Sequence, residues 1–270
     1  MATIVSFHAH PDDESIGTGG TLHRAAAEGH RVVLVFGTRG ERGEPVPGVL
    51  SEGEALWERR IAETYESARL LGAERVEFLG YVDSGMMGEP TNAAPYSFWS
   101  ADVEQAANRL AAILREEDAE VLTAYDDWGG YGHPDHIQVH RVGVRAAQLA
   151  GTPRVLQGTM NQDHIQRMAQ MVREAIEQAE EGAETPEELS DEEQTFGKPE
   201  ALITHAVDVS DLLEVKKASM RAHASQIAED SWFLSMDDDS FRMAFGTEWF
   251  IELGCGRDEG APFLPSIWHT

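Results

Sequence analysis

Five short apolar runs, at residues 4–7, 31–37, 76–81, 121–125 and 154–160, alternate with stretches whose apolar residues recur at helical spacing. Strands separated by helices pair in parallel through right-handed crossovers, which restricts the chain to a layered α/β fold. Trp57, Ile61, Tyr65, Ala68 and Leu71 mark one helix, and Gly72 supplies its stop. Val103, Ala106, Ala107, Leu110, Ile113 and Leu114 mark the next, with Ser100 as its expected cap. A further strand is expected over 201–209, and a helix from Ser210 and Asp211 to Ser225. The aromatic-rich sequence from Trp232 onward has no period that assigns it.

The turn after the first run is dense in chemistry. Pro11 ends the strand, Gly17, Gly19 and Gly20 lead into a helix to Glu28, and His10, Asp12, Asp13 and Glu14 lie between. This is the C-terminal edge of a strand, where open parallel sheets bind ligands. A histidine followed by an aspartate three residues on offers two ligand types that Zn²⁺ accepts. The run at 121–125 leads into a second such motif, His133-Pro-Asp-His136, flanked by Gly129, Gly130 and Gly132, which let the loop approach a ligand closely. Two histidines and a carboxylate leave the fourth tetrahedral position open for water, the pattern of catalytic zinc. The same donors form the facial triad of non-haem Fe(II) oxygenases, and a non-catalytic metal- or sugar-binding protein would need no more. Asp12, a spare carboxylate beside these donors, could take a proton from metal-bound water, which favours a hydrolase over both. His8 shares a strand face with His10 and is an alternative ligand. His140 shares a helical face with His136 and reads as a packed or supporting residue.

The paired motifs together resemble the phosphatidylinositol-glycan class L (PIG-L), or LmbE-like, deacetylase family, whose signature is an early His-Pro-Asp-Asp and a later His-Pro-Asp-His. The likeness extends through Gly40-Glu-Arg-Gly-Glu44, Val82-Asp-Ser-Gly85 and Arg221-Ala-His-Ala-Ser-Gln226. It covers most of the chain apart from the acidic segment after Arg173 and the last few tens of residues. The resemblance implies a Rossmann-like, mainly parallel sheet flanked by helices with a C-terminal elaboration. It also implies a metal-dependent amide hydrolase, with Zn²⁺ or Fe²⁺ as cofactor, that removes acetyl from an N-acetylglucosaminyl, GlcNAc-inositol-like small molecule by attack of zinc-bound water. Several motifs look close to both the deacetylase and the S-conjugate amidase of mycothiol pathways. Ser15-Ile-Gly-Thr-Gly-Gly20 follows the general family pattern instead, which leaves antibiotic, chitooligosaccharide and bacillithiol-type acceptors open.

Roles follow. Asp13 joins His10 and His136 on the metal, while Asp12 is the general base, because an amidase needs a carboxylate free to take a proton from water; the resemblance supports that division. Pro134 suits the first turn of a helix, so His133 sits at the helix mouth facing the reacting carbonyl. Asp135, paired with His133, would favour the imidazolium and stabilise an oxyanion, and the Tyr131 hydroxyl would add to it. Glu44, Arg60 and Asp83 stand at positions resembling the family's sugar-contacting residues, and a carboxylate–guanidinium set suits a polyhydroxylated ligand. Asp83 before Ser-Gly is equally a turn former, and Arg60 equally a solvated helix residue. For His223 the resemblance adds a pocket role to the ordinary one of packing.

The loops at 38–54 and 83–100 follow strands on the same edge and are expected to wall the pocket. At 270 residues and 41% hydrophobic, one domain is expected, with a core over 1–160, an acidic insert over 174–200 and an elaboration over 201–270. The formal charge of -27 argues against nucleic acid or an anionic membrane as partner. Cys255 is the only cysteine, no basic segment or spanning apolar run opens the chain, and a soluble cytoplasmic protein is expected, with assembly into a homo-oligomer left open.

Overall fold

Ile4, Val5 and Phe7 are buried on alternate faces of strand β1 (Thr3–His8), and that alternation divides the molecule into two apolar layers. The computed structural model of the chain describes residues 1–179 and 196–268. Strands β2 (Arg31–Phe36), β3 (Arg75–Phe78), β4 (Val121–Tyr125) and β5 (Arg154–Thr159) join β1 in parallel, in the order β3-β2-β1-β4-β5. The expected mainly parallel α/β architecture is therefore present. The central strands β1, β2 and β4 are near-continuous apolar runs, as burial on both faces requires.

One layer packs Val5, Phe7, Val33 and Val35 against helices α4 (Val103–Glu116) and α5 (Pro134–Ala150) through Leu110, Leu114, Val139 and Val142. The other sets Ile4, Val32, Leu34 and Phe36 against α2 (Gly19–Ala27) and α3 (Leu56–Leu71) through Leu22 and Leu71. Gly72 ends α3 in the left-handed conformation at φ 77°, as read from the sequence. The cap of α4 is Asp102, not Ser100: Asp102 accepts from the Gln105 N–H at 2.8 Å, while the Ser100 hydroxyl turns back onto its own loop. The loop before α4 also contributes to the core, since Phe98 is fully buried edge-on to Phe7 at 6.2 Å.

The helix expected up to Glu28 is α2, and the turn before it carries a short helix of its own, α1 (Asp13–Gly17), separated from α2 at Thr18. After β5 come α6 (Gln162–Ala179), β6 (His205–Asp208), α7 (Leu213–Ala222), α8 (Trp232–Ser235), α9 (Asp238–Phe245) and β7 (Thr247–Glu252). The strand expected over 201–209 shortens to β6, because Glu200–Leu202 turn as a 3-10 helix. β7 lies between β5 and β6 and antiparallel to both, which completes a mixed seven-stranded sheet. The acidic insert expected over 174–200 falls largely on 180–195, outside the described residues. Among the described residues no helix is long and apolar enough to cross a membrane.

The start of α2 is tied to β7. Glu248 accepts from the Gly20 and Thr21 N–H groups at 2.9 and 2.8 Å and pairs with the buried Lys216 at 2.5 Å. A Cβ at Gly20 would stand 2.5 Å from Val209 Cβ. Gly20→Ala is therefore expected to cost about 1–3 kcal/mol through overpacking, read from the denaturant midpoint.

Candidate metal centre and active site

The chain travels from β1 out to β3 and returns across the sheet to β4, so strand order reverses between β1 and β4. A crevice opens at such a reversal, outside the carboxyl ends of the strands. His10, Asp12 and Asp13 follow β1 there, and Tyr131, His133, Asp135 and His136 follow β4. At Gly129, φ is 64° and a Cβ would meet His136 Cβ at 2.4 Å, so only glycine brings this loop so close to α5.

Asp13 stands between two imidazoles, its carboxylate oxygens 3.5 Å from His10 Nδ1 and 3.4 Å from His136 Nε2. On its other side His10 Nε2 faces Asp135 at 3.2 Å and Asp83 at 3.6 Å. Two buried groupings have ligand atoms within 4.8 Å of one another: His10, His133 and His136, and His10, Asp83 and Asp135. Burial opposes a charge on His10, yet Asp83, Asp13 and Asp135 outweigh it and hold its pKa well above the usual value. Asp13 is held far below the carboxylate range despite burial, by His136 and His10. Carboxylates that converge on one buried imidazole make a site that calls for positive charge, and N/O donors of this kind fit a divalent transition metal.

Hydrogen bonding distinguishes the histidines of the cluster from one another. His133 Nδ1 accepts from the Asp135 N–H at 3.1 Å, and burial followed by the His10 and His136 charges lowers its pKa to about 3. Neutral His133 thus carries its proton on Nε2, which that nitrogen would have to lose before it could take a metal. This corrects the expected imidazolium paired with Asp135. The Asp135 carboxylate instead takes His10 Nε2, the Ser84 N–H at 2.9 Å and the Ser84 hydroxyl, orienting His10 so that Nδ1 turns to Asp13. His8 is not a free ligand either: its Nε2 meets Ser6 at 2.7 Å and its Nδ1 meets Tyr125 at 2.9 Å, and burial lowers its pKa to about 4. His140 bonds the Tyr125 carbonyl through Nδ1 at 3.1 Å.

Asp12 faces elsewhere. Its carboxylate receives Arg60 Nη2 at 3.1 Å, and burial, partly offset by Arg60, raises its pKa to about 6. The Tyr131 hydroxyl lies 3.4 Å from His136 Nε2, and with 39% of the residue exposed it is the most open group of the cluster.

The expected substrate residues fare unequally. Arg60 is 3% exposed and spent on protein partners: Asp12, the Pro11 and Gly40 carbonyls and Gln226, so it braces Asp12 from behind. His223 is fully buried, its Nε2 2.6 Å from Glu14, which replaces sugar contact with support. Asp83 is both turn former and site residue, since Oδ1 accepts from the Gly85 N–H at 2.9 Å and faces His10. Glu44 is exposed, and the loop carboxylate that reaches the site is Glu41, on the Asp83 N–H at 3.1 Å. Sequence reasoning missed Ser84, Glu14 and Glu41; each lies inside a motif already singled out, but only the tertiary fold shows which neighbour it holds.

The family description GlcNAc-PI de-N-acetylase (PIG-L) matches residues 5–147, which hold both motifs. The chain belongs to the PIG-L family. PIG-L relatives include the 1D-myo-inositol 2-acetamido-2-deoxy-alpha-D-glucopyranoside deacetylase of Nocardiopsis dassonvillei, 44% identical over 91% of this chain and 92% of that protein. Its counterpart in Thermobifida fusca is 44% identical over 83% of each. Among solved structures, N,N'-diacetylchitobiose deacetylase of Pyrococcus horikoshii aligns with a TM-score of 0.61 at 23% identity, over 93% of this chain and 83% of that one. The 4-carboxy-2-hydroxymuconate hydratase of Pseudomonas putida aligns at 0.57 and 19%, over 97% and 100%. At such identities the likeness speaks to the PIG-L fold alone, and the hydratase shows that this fold hosts more than one chemistry.

Proposed function

We propose that the chain hydrolyses the acetamide of an inositol-linked N-acetylglucosamine, with a divalent metal held by His10, Asp13 and His136. The observation that carries this reading is a carboxylate, Asp13, set between the imidazoles of His10 and His136, with a separate carboxylate, Asp12, beside it whose pKa burial raises to about 6. The substrate class comes from the relatives' names. Zinc is our first choice, since two imidazoles and a carboxylate are a catalytic zinc set, and iron(II) accepts the same donors. Bound there, the ion supplies a Lewis acid for the acyl oxygen and brings the pKa of water toward about 7.

The remaining steps belong to side chains. Asp12 takes a proton from the attacking water and returns it to the departing amine, so one group serves as base and then acid. His133 donates Nε2–H to the acyl oxygen as negative charge develops there, a task that a neutral imidazole performs. Tyr131 adds a second donor at the open side, and Glu41 offers an acceptor to sugar hydroxyls. The same reading takes residues 1–270 as one cytoplasmic catalytic unit acting on a small molecule, with a charge of -27 that disfavours nucleic acid.

The test is amine release from the inositol-linked compound, an S-conjugated mycothiol and other N-acetylglucosaminides, using metal-stripped and zinc-restored protein in parallel. Zinc-dependent release, highest with the inositol-linked compound, is expected; release from none of them would end the reading. Because Asp12 acts deprotonated, kcat/KM is expected to fall with unit slope as pH drops through its pKa. Burial, partly offset by Arg60, sets that value near 6, and a bound cation would pull it down, so the acid limb lies at or below about pH 6. A pH–rate profile whose acid limb survives in Asp12→Asn would assign the limb to another group.

A further inference from the structure

We propose that Glu14, backed by His223 and Ser67, is a positioning group that holds the Asp12 base in a strained backbone conformation. The inference rests on the reading of Asp12 as base. Asp12 has φ 106° and ψ -34°, and among the described residues only Asp118 shares a positive φ outside glycine. An L-residue keeps such a backbone only where its surroundings over-determine it. Here they do so at both ends of one peptide unit. The Asp12 N–H donates to Glu14 Oε2 at 2.9 Å, and the Pro11 carbonyl accepts from Arg60 Nη2 at 2.5 Å.

The Glu14 carboxylate is itself immobilised. It is fully buried, and its Oε1 receives His223 Nε2 at 2.6 Å, the Ser67 hydroxyl at 2.5 Å and the Ser15 hydroxyl at 3.1 Å. Ser67 lies on α3 and His223 caps α7, so the clamp on the Asp12 peptide is anchored in two packed helices. The clamped φ has a chemical consequence. Consecutive aspartates in an ordinary turn have no need to diverge far, yet here Asp13 points at His10 and His136 while Asp12 points at Arg60. Glu14 therefore keeps ligand and base apart without touching metal or substrate.

Glu14→Gln keeps the size but removes the charge and one acceptor oxygen, so the charge-assisted bonds from the Asp12 N–H and from His223 Nε2 can no longer both be kept. The variant is expected to lose roughly 10–100-fold in kcat, with KM and bound metal per chain unchanged, the range seen for outer supports of an active site. Combined with Asp12→Ala, Glu14→Gln should cost nothing further, because it acts through that carboxylate. Equal losses in both backgrounds, or metal lost along with kcat, would overturn the proposal. Full turnover in Asp12→Ala alone would sink the base reading instead. A second readout is independent of turnover: glycine adopts φ 106° unaided, so Glu14→Gln should lower Tm less in an Asp12→Gly background than in the wild type. Equal Tm losses would also overturn the clamp. Should Glu14→Gln fail to fold, Ser67→Ala, which removes one donor to Glu14, should show the same coupling at smaller size.

Discussion

Asp12→Ala is expected to keep its metal and to lose about 10²–10⁴ in kcat, the span that a positioned acid–base group contributes. The Asp12 carboxylate is directed at Arg60, whereas Asp13 is the carboxylate that faces both His10 and His136. Removing the Asp12 carboxylate should therefore leave the ligand set intact and take away only the proton acceptor. Alanine is strained at φ 106°, so a loss seen with alanine alone would mix chemistry with backbone. Asparagine tolerates positive φ and keeps the shape of the side chain, and Asp12→Asn should lose activity to a similar degree with little change in Tm. Elemental analysis of each variant, beside steady-state rates, checks the claim; retained hydrolysis in Asp12→Asn would refute the base assignment.

The parallel half of the fold was legible because its strands are what two-sided burial demands. Residues 121–125 read as an apolar run and are β4, and Gly72 read as a stop and caps α3. The C-terminal part was not legible for an equally physical reason. In β7 the inward positions are Glu248, Phe250 and Glu252, while Trp249 and Ile251 are half-exposed. A period-two reading of Thr-Glu-Trp-Phe-Ile-Glu puts the charges outside, and it fails here because distant cations neutralise them, Lys216 at Glu248 and Arg154 at Glu252. Those partners lie 32 and 98 residues away in the chain, where no local pattern reveals them.

The site divides along the same line. Ligand types and their two loops were visible because each motif is contiguous and each follows a strand on one sheet edge. The charge state of His133 was not, since it turns on whether the side chain or the backbone N–H of Asp135 meets the ring. Arg60 and His223 lie close to the cluster but behind it, not on its open side. Both reach the site through a carboxylate, Asp12 for one and Glu14 for the other, and burial at 3% and 0% leaves neither open to a sugar.

His136→Ala is expected to abolish metal binding and to reduce hydrolysis to the level of chelator-treated wild type. The competing ligand sets make the comparison informative, because His10, His133 and His136 also stand close enough together to hold an ion. If Asp13 is the third ligand, Asp13→Ala should lose the metal as His136→Ala does, and His133→Ala should retain it. His133→Ala should then cost about 10²–10³ in kcat, the loss of one donor to a developing oxyanion. The hydrogen bond from the Asp135 N–H to Nδ1 commits the only free lone pair of a neutral His133, and coordination through Nε2 would require its proton to leave. Asp13 pays no such penalty, being ionised already in the grip of His136 and His10. Metal-to-protein ratios for the three variants settle the matter directly: loss of metal in His133→Ala with retention in Asp13→Ala would exchange the two roles and turn the oxyanion donor into a ligand.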